Sequence, residues 1–372
     1  MKVSWVNALH LNGLERNVRK IKDMARVCII SVGLFTLLGC FGGGTVKQSI
    51  EDYAARLSRV LDVSLPDTFN EKITTPLPKL ADSTTLKHNI EGVSINLREF
   101  YALQDCELGT IVAERNTSLG KSQLPSQRLA YESKLLMALK HCETALAEAD
   151  SANTNNAALA ATIASWREQK SQDYSKTWAN LIQGSQELRL ALNTPERLMS
   201  VENNKDALSS VNALYYLDSL HNKNERPIDS SELEQQLQII RSARLPATLW
   251  HTQQTLTRNL SLLTSMLASE LDAVSCPEGR ASDQAKILRN VFYLFFIEQI
   301  QPVGSLVNQY HYKLAPLWED WLAQPLLHEE FKRYIKQQTQ DGFTEYSNAM
   351  KAHVNLWQNF LGRCNLSPVA PV

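Results

Sequence analysis

The sequence lacks most of what marks the common functional classes. Among 372 residues there are only 14 Gly and 13 Pro, too few for a low-complexity chain or one built on many tight turns. No strand-period run flanks an Asn-Gly or Asp-Gly hairpin. No apolar stretch reaches the roughly 20 residues that a bilayer-spanning helix needs. The formal net charge is −1, so there is no excess of basic residues to form the concentrated face that phosphate recognition requires, and nucleic acid is set aside as a partner. GxSxG, P-loop and GxGxxG motifs are missing. No CxxC or Cys/His cluster has zinc-site spacing, and no repeat recurs at the periods of roughly 33 to 45 residues that mark helical solenoids.

What is present is helical periodicity, in a chain that is 44% hydrophobic. "SIEDYAARLSRVL" sets Ile50, Tyr53, Ala54, Leu57, Val60 and Leu61 on one face, with Ser49 as N-cap and Asp52 in a near capping box. Pro66, Pro76 and Pro78 then forbid a continuous helix over 62–92, which reads as an extended surface segment. Further helices follow over about 94–112, 127–149, 157–192, 206–220, 231–241 and 246–274. Thr194 and Pro195 look like the N-cap and first residue of a helix. "QAKILRNVFYLFFIEQI" is the most apolar stretch, but Glu298 and Gln299 interrupt it, so it reads as a central core helix. Pro302 begins another helix, and 328–361 is the last. These elements predict an all-α fold, a bundle of long amphipathic helices over 49–372. "HNKNERPIDSS" makes 221–230 the candidate split between two subdomains.

The N-terminus reads differently. Residues 1–39 carry Lys2, Arg16, Arg19, Lys20, Lys22 and Arg26 against Glu15 and Asp23, a local +4 that leaves about −5 for the rest. The apolar run at 27–38, "VCIISVGLFTLL", is short enough to be a secretory h-region behind a basic n-region. It ends in "LLGC", which resembles the lipobox of bacterial lipoprotein precursors. The order has a chemical basis, because small Gly39 admits the peptidase and only the thiol of Cys40 accepts a diacylglyceryl group as a thioether. Cleavage would leave a lipidated flexible tether at 40–48, opening with "FGGG". Two or more acyl chains make a stable anchor, so membrane lipid is the expected partner through Cys40. Translation can start at Met1 or Met24, since "MARVCIISVGLFTLLGC" is itself a compact leader.

Six cysteines are present. Cys28 leaves with the leader and Cys40 is committed to lipid, so Cys106, Cys142, Cys276 and Cys364 remain for two disulfides in an oxidising compartment. Three connectivities are open, and the sequence-local pairing, Cys106 with Cys142 and Cys276 with Cys364, is preferred because each would staple neighbouring helices.

Searches for chemistry end in near misses. "HEEF" at 328–331 has Lys332 where a zincin's second His would stand, and reads as an acidic first helical turn. In "HYKLAPLWEDW", His311 lies too far along the helix from Glu319 and Asp320 to define a ligand set. Arg289, Asn290, Glu298 and Gln301 flank the cluster of Phe292, Tyr293, Phe295 and Phe296, as an internal polar network or the edge of a pocket. No nucleophile–base pair, metal site or cofactor motif is found, so an enzyme is not expected.

The lipobox together with "EDYAARLSRVL", "CELGTIVAERNTSLG" and "FFIEQIQPV" resembles an uncharacterised family of Gram-negative lipoproteins with a domain of unknown function across nearly the whole mature chain. That resemblance implies a location without an activity. Because Phe41 rather than Asp follows the Cys, it implies the outer membrane, facing the periplasm, over the inner membrane. The expected role is a non-enzymatic envelope factor that binds another envelope protein or assists assembly. The alternative is a binding module for a small apolar ligand or a cell-wall fragment.

Overall fold

Thr45 opens the folded unit by capping helix α1, Val46–Leu61, its hydroxyl accepting from the Gln48 N–H at 3.3 Å. The sequence reading put the cap at Ser49. The helix starts one turn earlier because Val46 is apolar and extends the buried face through Ile50, Tyr53, Ala54 and Leu57. The computed structural model describes residues 45–370, apart from 66–68, 70–73, 75, 91, 93–95, 97–99, 102, 104–105, 118–122, 149–153, 205 and 222–225. The leader at 1–39, Cys40 and the tether up to residue 44 lie outside the described residues.

Every regular element among the described residues is a helix. After α1 come α2 (Leu108–Asn116), α3 (Pro125–Glu148), α4 (Thr154–Gly184), α5 (Gln186–Asn193), α6 (Ala207–Ser219), α7 (Ser230–Ala243) and α8 (Leu245–Ala273). Then α9 (Asp283–Val291) passes through a π-helical segment, Phe292–Ile300, into α10 (Gln301–Ala323). Finally α11 (Glu329–Lys336) passes through a second π segment, Gln337–Asp341, into α12 (Gly342–Arg363).

Local chemistry explains most of the boundaries. Asp229 caps α7 by accepting from the Ser231 and Glu232 N–H groups, and Arg244 closes it in the left-handed region at φ 45°. Pro246 then sits in the first turn of α8, where its missing N–H costs nothing. The long helix read at 157–192 is broken at Ser185, whose extended backbone separates α4 from α5. Thr194 closes α5 instead of capping a following helix. The chain beyond it lies along α8, where the Met199 N–H donates to Thr252 Oγ1 at 2.8 Å.

The proline-bearing segment at 62–92 is not a surface connection. It straps across the bundle and buries Phe69, Leu77, Leu80 and Leu86. Its backbone polar groups find side-chain partners in place of a helical ladder. Asn180 accepts from the His88 N–H at 2.7 Å and donates to its carbonyl at 3.0 Å. Gln183 donates to the Leu86 carbonyl, and Asn193 to the Pro78 carbonyl at 2.6 Å.

Residues 45–372 make one compact unit. Its main apolar core runs from Val46 to Cys364 and includes Leu217 and Leu220 on one side of 221–230 and Leu233 and Leu237 on the other. Trp178, Trp250, Trp318, Trp321 and Trp357 are all buried in it. A buried indole N–H needs a partner: Trp178 donates to the Leu217 carbonyl at 2.9 Å and Trp321 to Asp218 Oδ1 at 3.0 Å. A smaller cluster, with Leu103, Leu108, Ile111, Leu135, Leu139, Cys142 and Ile163, lies between α2, α3 and α4. Cys106 stands at disulfide distance from Cys142 and Cys276 from Cys364, with Cα–Cα distances of 5.6 and 5.2 Å. The smaller cluster and the main core hold one pair each.

Candidate binding site

Helices α2, α3 and α4 surround a cavity of about 430 Å³. Leu108 and Val112 of α2, Leu135 and Leu139 of α3 and Trp166 of α4 form its apolar walls, while Arg115, Arg128, Glu132 and Lys170 form its polar end. Helical spacing puts these groups together. Arg128 and Glu132 lie four apart on α3, Lys170 and Asp173 three apart on α4, so each pair shares a face. Arg128 pairs with the Glu132 carboxylate, which is fully buried. Lys170 Nζ lies 3.5 Å from Glu132 and 3.2 Å from Asp173, and Lys176 Nζ lies 3.5 Å from Asp173.

The cationic side of this cluster is in excess. Arg115, Arg128, Lys170 and Lys176 face Glu132 and Asp173, a surplus of two positive charges. Burial lowers the basicity of Arg115, the nearby Arg128 charge lowers it further, and Tyr131 and Glu132 offset part of this. Burial, with the Glu132 charge next, pushes the Tyr131 phenol up to about 12. Arg115 Nη1 and Arg128 Nη1 are both out of solvent with no hydrogen-bond acceptor among the described residues. A second cavity, about 440 Å³, lies on the other side of the two arginines, between the strap at Leu86–Ile90 and Thr177, Asn180 and Gln183 of α4.

A second polar centre lies in the main core. His353 of α12 is fully buried. Tyr53 of α1 meets its Nε2 at 2.9 Å and the Trp357 indole donates to the same nitrogen at 3.2 Å. Because an indole N–H can only donate, Nε2 is the acceptor and the ring proton sits on Nδ1. That proton goes to Thr264 Oγ1 at 2.9 Å, and the Thr264 hydroxyl in turn donates to the Leu260 carbonyl at 2.6 Å. Burial lowers the His353 pKa to about 3. Phe296, from the π segment, packs on the ring at 4.9 Å. This network gives both ring nitrogens a partner and acts as a tie between α1, α8 and α12.

The residues singled out by sequence fall elsewhere. Arg289 donates to its neighbour Asn290 at 3.0 and 2.8 Å, while Glu298 and Gln301 are exposed. The structure brings the first two together and leaves the other two at the surface, because the π turn directs Phe292, Phe296 and Ile300 inward instead. His328 is the N-cap of α11, its ring accepting from the Glu330 N–H, and Lys332 pairs with Glu329 at 2.6 Å. His311 stacks on Phe343 and is pushed down to about 4 by burial, with Glu319 and Asp320 exposed. Among the described residues no group of three His, Cys, Asp or Glu side chains is placed to hold a metal ion.

Fold and site together define the class: an all-α unit with two cysteine pairs at disulfide distance and a cationic, partly apolar cavity between three of its helices. A family model described as "Protein of unknown function (DUF3080)" matches residues 50–368. The chain belongs to that family. No curated protein and no solved structure matches it.

Proposed function

We propose that this chain is a lipoprotein of the Gram-negative outer membrane, anchored through acylated Cys40, facing the periplasm and acting by binding rather than by catalysis. The observation that carries the reading is the junction between leader and fold. The h-region ends at "LLGC", and the Thr45 cap of α1 stands five residues beyond Cys40. Cleavage before Cys40 would therefore fall ahead of the first residue of the described helical unit. The two cysteine pairs at disulfide distance favour an oxidising compartment. No helix among the described residues is long and apolar enough to cross a membrane, so attachment would fall to the acyl chains.

The test is intact-mass analysis of the chain isolated from its natural membrane, with fractionation of a Cys40→Ser variant. The expected product begins at Cys40 and carries two or three acyl chains, and the variant leaves the membrane fraction. A bare Cys40, or a retained leader, overturns the anchor.

A further inference from the structure

We propose that the cavity between α2, α3 and α4 binds a single-chain anionic amphiphile, its carboxylate or phosphate held by Arg115 and Arg128 and its hydrocarbon chain lying among Leu108, Val112, Leu139 and Trp166. This deepens the binding half of the reading above and is independent of the anchor.

Four observations converge on that chemistry. Arg115 Nη1 and Arg128 Nη1 are withdrawn from water with no hydrogen-bond partner, as is Glu132 Oε2 in the same wall, and the two N–H groups cost free energy until an acceptor arrives. The surrounding charges leave a surplus of two positives, so the arriving group is an anion. Glu132 in the same wall disfavours a polyanion. Leu108, Val112, Leu135, Leu139 and Trp166 make the other end of the lining apolar, and about 430 Å³ lies within the range of small-molecule sites, roughly 300–1,000 Å³. A neutral apolar guest would leave Arg115 Nη1 and Arg128 Nη1 without an acceptor. Arginine also suits the task, because its planar fork meets two oxygens of a carboxylate or phosphate at once. The two arginines come from different helices, so the head group would tie α2 to α3.

The test uses the full chain in the presence of phosphatidylcholine vesicles, which buffer the free amphiphile whether or not the chain is anchored. Dodecanoate, dodecyl phosphate and dodecanol, each with a diazirine near the tail end, are photolysed and the labelled peptides mapped by mass spectrometry. Saturable labelling within 108–139 and at 166, by dodecanoate or dodecyl phosphate and not by dodecanol, is the expected result. The anion that labels more strongly assigns the source, a free fatty acid or a phosphate-bearing lipid. Losing one charge-assisted contact in Arg115→Gln should weaken half-saturation by about 10- to 100-fold with an unchanged melting temperature. Val112→Trp, which fills the apolar end, should abolish labelling while leaving the arginines in place. Equal labelling by dodecanol, label scattered over the surface, or indifference to both substitutions overturns the proposal.

Discussion

The His353 ring and the Nη1 atom of half-buried Arg115 are both drawn out of water, yet both nitrogens of the first have a partner, while Arg115 Nη1 lies beside a cavity with no hydrogen-bond acceptor among the described residues. The two centres belong to regions of unequal size. His353 sits in the main core, where Phe296 and Tyr53 pack against its ring and five tryptophans are buried. Arg115 sits at the edge of the smaller cluster, where three helices and a strap enclose space they do not fill. The lesson is that burial by itself says little about function. A polar group whose partners are all supplied from within holds the fold together, and one left unmatched beside a cavity is where the proposed ligand would supply the partner.

That contrast can be broken from either side. The largest effect is expected from the main-core cysteine pair, since Cys276 and Cys364 are 88 residues apart in sequence. On the loop-entropy account, Cys276→Ser with Cys364→Ser costs about 4.5 kcal/mol, measured by urea unfolding. The matching change at Cys106 and Cys142 should first raise amide exchange in α2, with the main core still protected. Next comes His353→Ala, which opens a cavity and strips partners from Tyr53, Trp357 and Thr264 together. A loss of about 4 kcal/mol by the same unfolding assay is expected.

Acid should act on the same centre. The unfolded imidazole takes up a proton near pH 6.5 and the folded one only near 3. Because the folded pKa is depressed, stability is intact above about pH 6.5 and falls as pH drops from there towards 3. At pH 5 the loss is about 2 kcal/mol, and His353→Gln should flatten that slope. His311, also lowered by burial, acts in the same direction, and Phe343→Ala would isolate its share. Tyr53→Phe removes one of the two donors to Nε2 and should cost about 1 kcal/mol. The smallest effect belongs to Arg115→Gln. It relieves the repulsion from Arg128 and breaks no ion pair among the described residues, so the melting temperature should hold.

Much of the architecture was legible in the chain. The all-α class followed from periodicity, the α1 face from Ile50 to Leu57, and the cysteine pairing from sequence proximity. The strap was misread because Leu77, Leu80 and Leu86 are buried without any helical or strand period, anchored by side chains of α4 and α5 that no local pattern announces. The site was missed for a related reason. Arg128 with Glu132, and Lys170 with Asp173, look in sequence like the solvent-facing pairs of any helix. Only their inward orientation distinguishes them. His353 did leave a signal, standing four residues before Trp357 on the same stripe as Tyr346, Ala349 and Phe360.

The first π segment has a further consequence. Pro302 can give no N–H to the Glu298 carbonyl, and its ring would collide with that oxygen in a regular helix. The chain avoids this by widening its spiral just upstream, where the Gln301 N–H reaches back five residues to the Phe296 carbonyl. A ring closed over five residues holds one more than a ring closed over four. The α9–α10 rod therefore carries a spare residue at this one place, and length could be trimmed there without turning the aromatic rows of α10 away from their neighbours. Removing a residue anywhere else along the rod would rotate everything beyond it by about 100°.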